Sequence, residues 1–119
     1  MNHDKARSCR LMHALLLVAS AMALTNAHCA AAAETVTAEI GHFQFEPREL
    51  TVAPGTTVVW INHDQTIHNI VTKDGKLASP GLDTDDRYSF VFDREGDYPF
   101  YCGLHPQMVG VVHVRGSGS

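Results

Sequence analysis

Four side chains of this sequence offer soft or borderline metal donors in a tight pattern. Cys102, His105 and Met108 recur every third residue in Tyr101-Cys102-Gly103-Leu104-His105-Pro106-Gln107-Met108. One short loop can therefore turn a thiolate, an imidazole and a thioether toward a single point. His68, in Asn62-His63-Asp64-Gln65-Thr66-Ile67-His68-Asn69, is the best candidate for a second imidazole. Two His, one Cys and a weak axial Met make up the ligand set of a blue-copper site. Thiolate holds Cu(I), imidazole suits both oxidation states, and a geometry between their preferences lets an electron leave with little rearrangement. Zinc could use Cys102, His68 and His105, but structural zinc sites favour more thiolates and a tetrahedral fourth ligand. A Cys102/His105 hydrolase needs its thiolate open to an acyl carbon beside an oxyanion hole, whereas Cys102 ends an apolar strand. His42, His63 and His113 fall in no ligand pattern. They read as surface or strand histidines, which leaves the further metal sites of a copper oxidase without donors.

The elements that must position these donors fit in one small domain. The chain has 119 residues, and its formal net charge of −4 gives no basic excess with which to bind nucleic acid. Residues 1–33 differ from the rest: Lys5, Arg7 and Arg10 precede the apolar run Ala14 to Leu24, and Ala30 to Ala33 supply small residues before Glu34. This is the pattern of a secretory signal peptide. The run is well short of the roughly 20 residues of a membrane span. Lipidation at Cys29 is disfavoured by the bulky, polar His28 before it, and a twin-arginine signal lacks its arginine pair. Beyond residue 33 remain six of the nine Lys and Arg and twelve of the thirteen Asp and Glu, an acidic exported domain expected over residues 34–115. Residues 116–119 are Gly and Ser only and read as a flexible tail. Cys102 and Met108 are then the sole cysteine and methionine of the exported part. A lone exported thiol cannot form an internal disulfide, so it requires another explanation.

Short β-branched or aromatic runs make up the exported part: 35–40, 49–52, 56–62, 69–72, 87–92, 97–102 and 109–114. Pro54-Gly55, Asp74-Gly75, Pro80-Gly81 and Glu95-Gly96 punctuate them as turns. No helical period is sustained, so the pattern predicts an all-β Greek-key sandwich of seven to eight strands. Alternation places Tyr88, Phe90 and Phe92 on one face and Tyr98, Phe100 and Cys102 on another, with Trp60 in the core. Asp93, Gly96 and Tyr98 suit a tyrosine corner, with a buried phenol bonded to upstream backbone. Asp83, Asp85, Asp86, Asp93, Glu95 and Asp97 read most simply as a solvated acidic face.

With these features the chain resembles the cupredoxins, and among them the amicyanin- and pseudoazurin-like small blue-copper proteins. The resemblance rests on Phe43-x-Phe45-x-Pro47, Val52-Ala53-Pro54-Gly55-Thr56-Thr57-Val58-Val59-Trp60-Ile61-Asn62, His68-Asn69, Gly96-Asp97-Tyr98-Pro99-Phe100-Tyr101-Cys102 and Met108-Val109-Gly110. The short Cys-x-x-His-x-x-Met loop is similar to the amicyanin form. The resemblance implies one type 1 copper ligated by His68, Cys102, His105 and Met108. It also implies that Asn69 ties the two ligand loops together and aims its backbone N–H at the thiolate. The implied function is electron transfer by a periplasmic monomer, with redox proteins such as a dehydrogenase or a c-type cytochrome as partners; copper storage or delivery is the alternative. The edge of His105 is expected to break the surface among Leu104, Pro106 and Pro54. Leu104 stands where amicyanin-like loops often carry proline, so its N–H is expected to give Cys102 sulfur a second hydrogen bond.

Overall fold

Thr37 and Glu39 alternate with Ala38 and Ile40, and this period of two sets a strand with one face on a core and the other in water. The same logic recurs along the chain. The computed structural model describes residues 33–117. The signal expected over 1–33 falls, but for Ala33, outside the described residues, as do Cys9, Cys29, Gly118 and Ser119. Seven strands follow in order: β1 Thr35–Gly41, β2 Gln44–Glu46, β3 Glu49–Val52, β4 Thr56–Asn62, β5 Arg87–Phe92, β6 Gly96–Tyr101 and β7 Val109–Val114. Among the described residues there is no helix. The strands form two sheets, ordered β2-β1-β4-β5 and β3-β7-β6, as the all-β sandwich expectation requires.

Two expectations for the strands need correction. Gln44–Glu46 is a strand, paired antiparallel to β1 through Ile40↔Phe45. Its three residues are too few to show alternation. Residues 69–72 do not form a strand; only Val71 pairs, in isolated bridges to Ala78 and Tyr101. Local partners replace a ladder there: Ile70 N–H donates to Ser79 Oγ at 2.8 Å and Thr72 N–H to Leu77 O at 2.9 Å. The irregular connection still sends Ile70, Leu77 and Leu82 into the core.

That core lies between the sheets around Phe45, Trp60, Phe92 and Phe100. Trp60 meets Phe100 and Phe92 edge-on at 5.5 and 6.3 Å, and its buried Nε1–H has no acceptor among the described residues. Tyr88, Phe90 and Tyr98 pack against the core half-buried. The tyrosine corner forms, with Tyr98 O–H donating to Arg94 O at 2.7 Å, although the phenol is less buried than expected.

Both sheets deliver their donors to one end. β1 and β4 run parallel, from Thr35↔Thr57 to Ile40↔Asn62, so Asn62 marks that end in the first sheet. β6 reaches it at Tyr101, and β7 starts from it at Val109. The opposite end holds Thr35, the β3–β4 turn and Val114, which pairs with both Val52 and Gly96.

Candidate metal centre

The first loop of the site leaves β4 at Asn62, a fully buried amide with all its groups engaged. Its Nδ2 donates to Thr66 O and Leu82 O at 2.9 and 2.8 Å, and its Oδ1 accepts Asp64 N–H at 3.0 Å. These bonds curl residues 62–68 back over the end of the sheet. His68 is then fixed by a two-way backbone bridge with Leu82, His68 N–H to Leu82 O at 3.2 Å and Leu82 N–H to His68 O at 2.7 Å. The second loop closes on itself between β6 and β7. Cys102 N–H donates to Met108 O at 3.0 Å, His105 N–H to Cys102 O at 3.2 Å and Met108 N–H to His105 O at 2.9 Å. Cys102 and Met108 are buried, and His105 is half-buried.

Asn69 joins the two loops. Its N–H points at Cys102 Sγ from 3.5 Å, and its Oδ1 accepts Gly103 N–H at 2.7 Å. A Cβ on Gly103 would stand 3.3 Å from that Oδ1, so the loop passes where a side chain would crowd the contact. The expected bond from Leu104 N–H to the same sulfur is not found among the described residues. The sulfur instead faces the Asn69 loop and the two imidazoles, with Asn69 Oδ1 3.6 Å away.

Three donor atoms converge. His68 Nδ1 and His105 Nδ1 lie 3.2 Å apart, and Cys102 Sγ is 3.8 Å from the first and 3.7 Å from the second. A point about 2.1 Å from all three exists within this triangle, matching the roughly 2.0–2.3 Å of first-row metal bonds to imidazole nitrogen and thiolate. His68 Nε2 sits 2.8 Å from Asp64 Oδ2. Donating that N–H to the carboxylate leaves Nδ1 as the lone-pair nitrogen, the tautomer a metal needs. Together His68, Cys102 and His105 fit a transition metal. They form the one cluster of three or more His, Cys, Asp or Glu donors among the described residues. Met108 is brought to the same loop by its backbone bonds to Cys102 and His105. His42, His63 and His113 stay outside. His63 lies near Glu39 and Asp85, and His113 bonds Asp97.

The chain belongs to the plastocyanin/azurin family of copper-binding proteins. The family model matches residues 32–115. Amicyanin of Paracoccus denitrificans is 33% identical over 85 aligned positions, which cover 67% of this chain and 65% of that protein. Plastocyanin of Nostoc punctiforme is 33% identical over 124 positions, covering 86% and 88%. Among solved structures, a reduced amicyanin variant superposes with a TM-score of 0.66 at 31% identity, over 68% of this chain and 82% of that one. A purple cupredoxin from Nitrosopumilus maritimus gives 0.61 at 37% identity, over 67% and 99%. The metal of this cupredoxin centre is one type 1 copper.

Three residues shape this cupredoxin centre without having been singled out for it in the sequence. Asn62 shapes the first loop, and Phe43 packs on both histidines. Asp64 has the most connections: Oδ1 accepts His42 N–H at 2.8 Å, and Oδ2 accepts Phe43 N–H at 2.9 Å while also meeting His68. Burial pushes its carboxyl up, but the bonds from Phe43, His68 and His42 outweigh it and hold the group below its usual range. The signal lay in the sequence as a carboxylate four residues before His68. If His68 is a ligand, Asp64→Ala should weaken copper binding by about 10–100-fold, the usual effect of removing the orienting partner of a metal-binding histidine. Competition against a chelator measures it, and unchanged affinity would confine Asp64 to its role in the neighbouring turn.

The apolar surface around His105 also differs from expectation. Pro54 sits in the β3–β4 turn at the far end, where Gly55 N–H bonds Phe92 O. Exposed apolar side chains at the centre are instead Phe43, edge-on to both histidine rings and 47% exposed, Ile67 next to His68 at 45%, and Leu104 next to His105 at 56%.

Proposed function

We propose that His68, Cys102, His105 and Met108 hold the copper, and that the chain carries single electrons between larger redox proteins outside the cytoplasm. It is a blue-copper electron carrier. The convergence of His68 Nδ1, His105 Nδ1 and Cys102 Sγ on one point carries this reading. With Met108 as the fourth donor, every position would be filled by protein, which would leave none for a substrate and argues against an enzyme. Copper, when bound, supplies a one-electron couple between Cu(I) and Cu(II). The chain's residues supply constancy. Asp64 fixes the plane of His68, Asn69 N–H supports negative charge on sulfur, and the self-bonded 102–108 loop holds its three donors together.

His105 lies at the surface end of this arrangement, with exposed Phe43 edge-on to its ring, exposed Leu104 next to it in the chain and exposed Ile67 next to His68. Such a patch excludes water from a docked partner. The connection from Leu82 to β5 places exposed Asp83, Asp85 and Asp86 on the same end of the sandwich. These charges would favour a partner with a basic rim, in an encounter that weakens with salt. A dehydrogenase and a c-type cytochrome are the partner classes proposed, a monomer the working unit and the periplasm its compartment, the last on the leader pattern of residues 1–33.

Visible and electron-spin spectra of the Cu(II)-loaded protein, followed by voltammetry, test the reading. An intense thiolate-to-copper band with a reversible one-electron wave supports a carrier. Ready loss of copper to a chelator with no reversible wave would make the chain a storage or delivery protein. The role of Met108 as a donor has its own test. Met108→Leu should raise the potential by removing a donor that favours Cu(II), and Met108→Gln should lower it. Equal potentials in parent and both variants would exclude Met108 from the ligand set.

A further inference from the structure

The turn between β1 and β2 is an unusual place for a phenylalanine. Gly41 pairs with Gln44, so the loop is the two residues His42 and Phe43, with φ of 52° and 57°. Positive φ at both central positions is the turn geometry that favours Asn and Gly, because a Cβ clashes there. A bulky aromatic in this conformation persists only where its surroundings fix it. Here the two carboxylate oxygens of Asp64 accept the two turn N–H groups, and one of them also meets His68 Nε2. Burial does not explain the arrangement, since Phe43 is 47% exposed.

Its ring contacts do. Phe43 stands at 88° to His68 with centroids 5.1 Å apart, and at 88° to His105 with centroids 5.2 Å apart. The two imidazoles are 4.9 Å from each other at 65°. Three rings thus form a nearly equilateral set, with the one that is not a ligand on the solvent side. The imidazoles sit on two loops, one after β4 and one between β6 and β7, 37 residues apart in the chain; the Val71–Tyr101 backbone pair and Asn69 tie these loops together, but among the described residues no backbone hydrogen bond joins His68 to His105 themselves.

We propose that Phe43 is a positioning residue for the copper centre, a bracket that holds the mutual angle of the His68 and His105 rings and keeps water from their exposed side. The inference rests on the copper reading above. Water reaching the imidazole pair favours the more highly charged oxidised state, because desolvation penalises charge. Loss of the ring should therefore favour oxidation and alter the symmetry of the Cu(II) site together.

The test compares Phe43→Gly and Phe43→Tyr with the parent, each copper-loaded. Glycine accepts positive φ without strain, so Phe43→Gly keeps the turn while removing the ring. Its equilibrium should move at least about threefold toward the oxidised form, about 28 mV at roughly 59 mV per tenfold for one electron. Its electron-spin signal should change symmetry, while its thermal midpoint should not fall. Phe43→Tyr keeps a ring in place and should restore both the potential and the signal. A Phe43→Gly protein with the parent's potential and spectrum would overturn the proposal, as would a Phe43→Tyr protein that matched Phe43→Gly. A parent that takes up no copper would overturn the functional reading and this inference with it. A blue parent with indifferent Phe43 variants overturns the inference alone.

Discussion

Cys102→Ser should turn the copper-loaded protein colourless and leave the sandwich folded. The intense band of such a centre is charge transfer from thiolate sulfur, and a serine hydroxyl is neither ionised at neutral pH nor soft enough to replace it. The fold should survive because the contribution of Cys102 to the loop is made by its backbone, through N–H to Met108 O and C=O from His105 N–H. The side-chain site is fully buried, so a hydroxyl there loses its water, at a cost of about 1–3 kcal/mol if unpaired. Asn69 N–H points at that position and can offset part of it. Circular dichroism should thus match the parent while absorbance and the type 1 electron-spin signal vanish. A blue Cys102→Ser protein would remove Cys102 from the ligand set.

Gly110→Ala should be the most destabilising single methyl addition along β7. A Cβ at this position would overlap Phe100 Cζ and stand 2.8 Å from both Phe100 Cε2 and Arg48 O. Phe100 is itself buried, with its ring edge-on to Trp60 and Phe45, so it has little room to yield. Arg48 O is backbone and already accepts Val111 N–H at 2.8 Å. Overpacking of this kind costs about 1–3 kcal/mol, occasionally more, and two immovable neighbours favour the upper end. At about 4–8 °C per kcal/mol for a domain of this size, the melting midpoint should drop by about 10–20 °C at equal copper loading. A drop under a few degrees would mean that the β6–β7 pair has slack that the contacts do not suggest.

The strands were legible wherever alternation ran for four residues or more, as in β4, where every second residue from Thr56 to Asn62 is buried. Gln44–Glu46 was too short for that signal, and 69–72 carried β-branched residues whose partners are turns and a serine hydroxyl. The four proposed ligands were legible because donor type and spacing are local properties, and the structure brings His68, Cys102 and His105 to one point. The supports were not legible in the same way. Asp64 acts on a turn more than twenty residues upstream, and the contacts of Phe43 with His68 and His105 exist only once both sheets have closed. Leu104 shows the limit from the other side. Loop position alone suggested its N–H would reach sulfur, yet the direction of an amide depends on dihedral angles that a sequence does not print.

Thr35 and Val114 open and close the sandwich at the end away from the candidate metal centre, while the loops carrying the proposed ligands crowd the other. β4 alone has seven residues, which at about 3.3 Å each puts roughly 20 Å between the two ends. A tether, a fused protein or an electrode linker joined at either terminus of the sandwich would therefore leave the His105 face pointing outward. Attachment geometry and electron entry are then separate variables, so the carrier could be anchored or strung to another module without obstructing the end proposed for charge exchange.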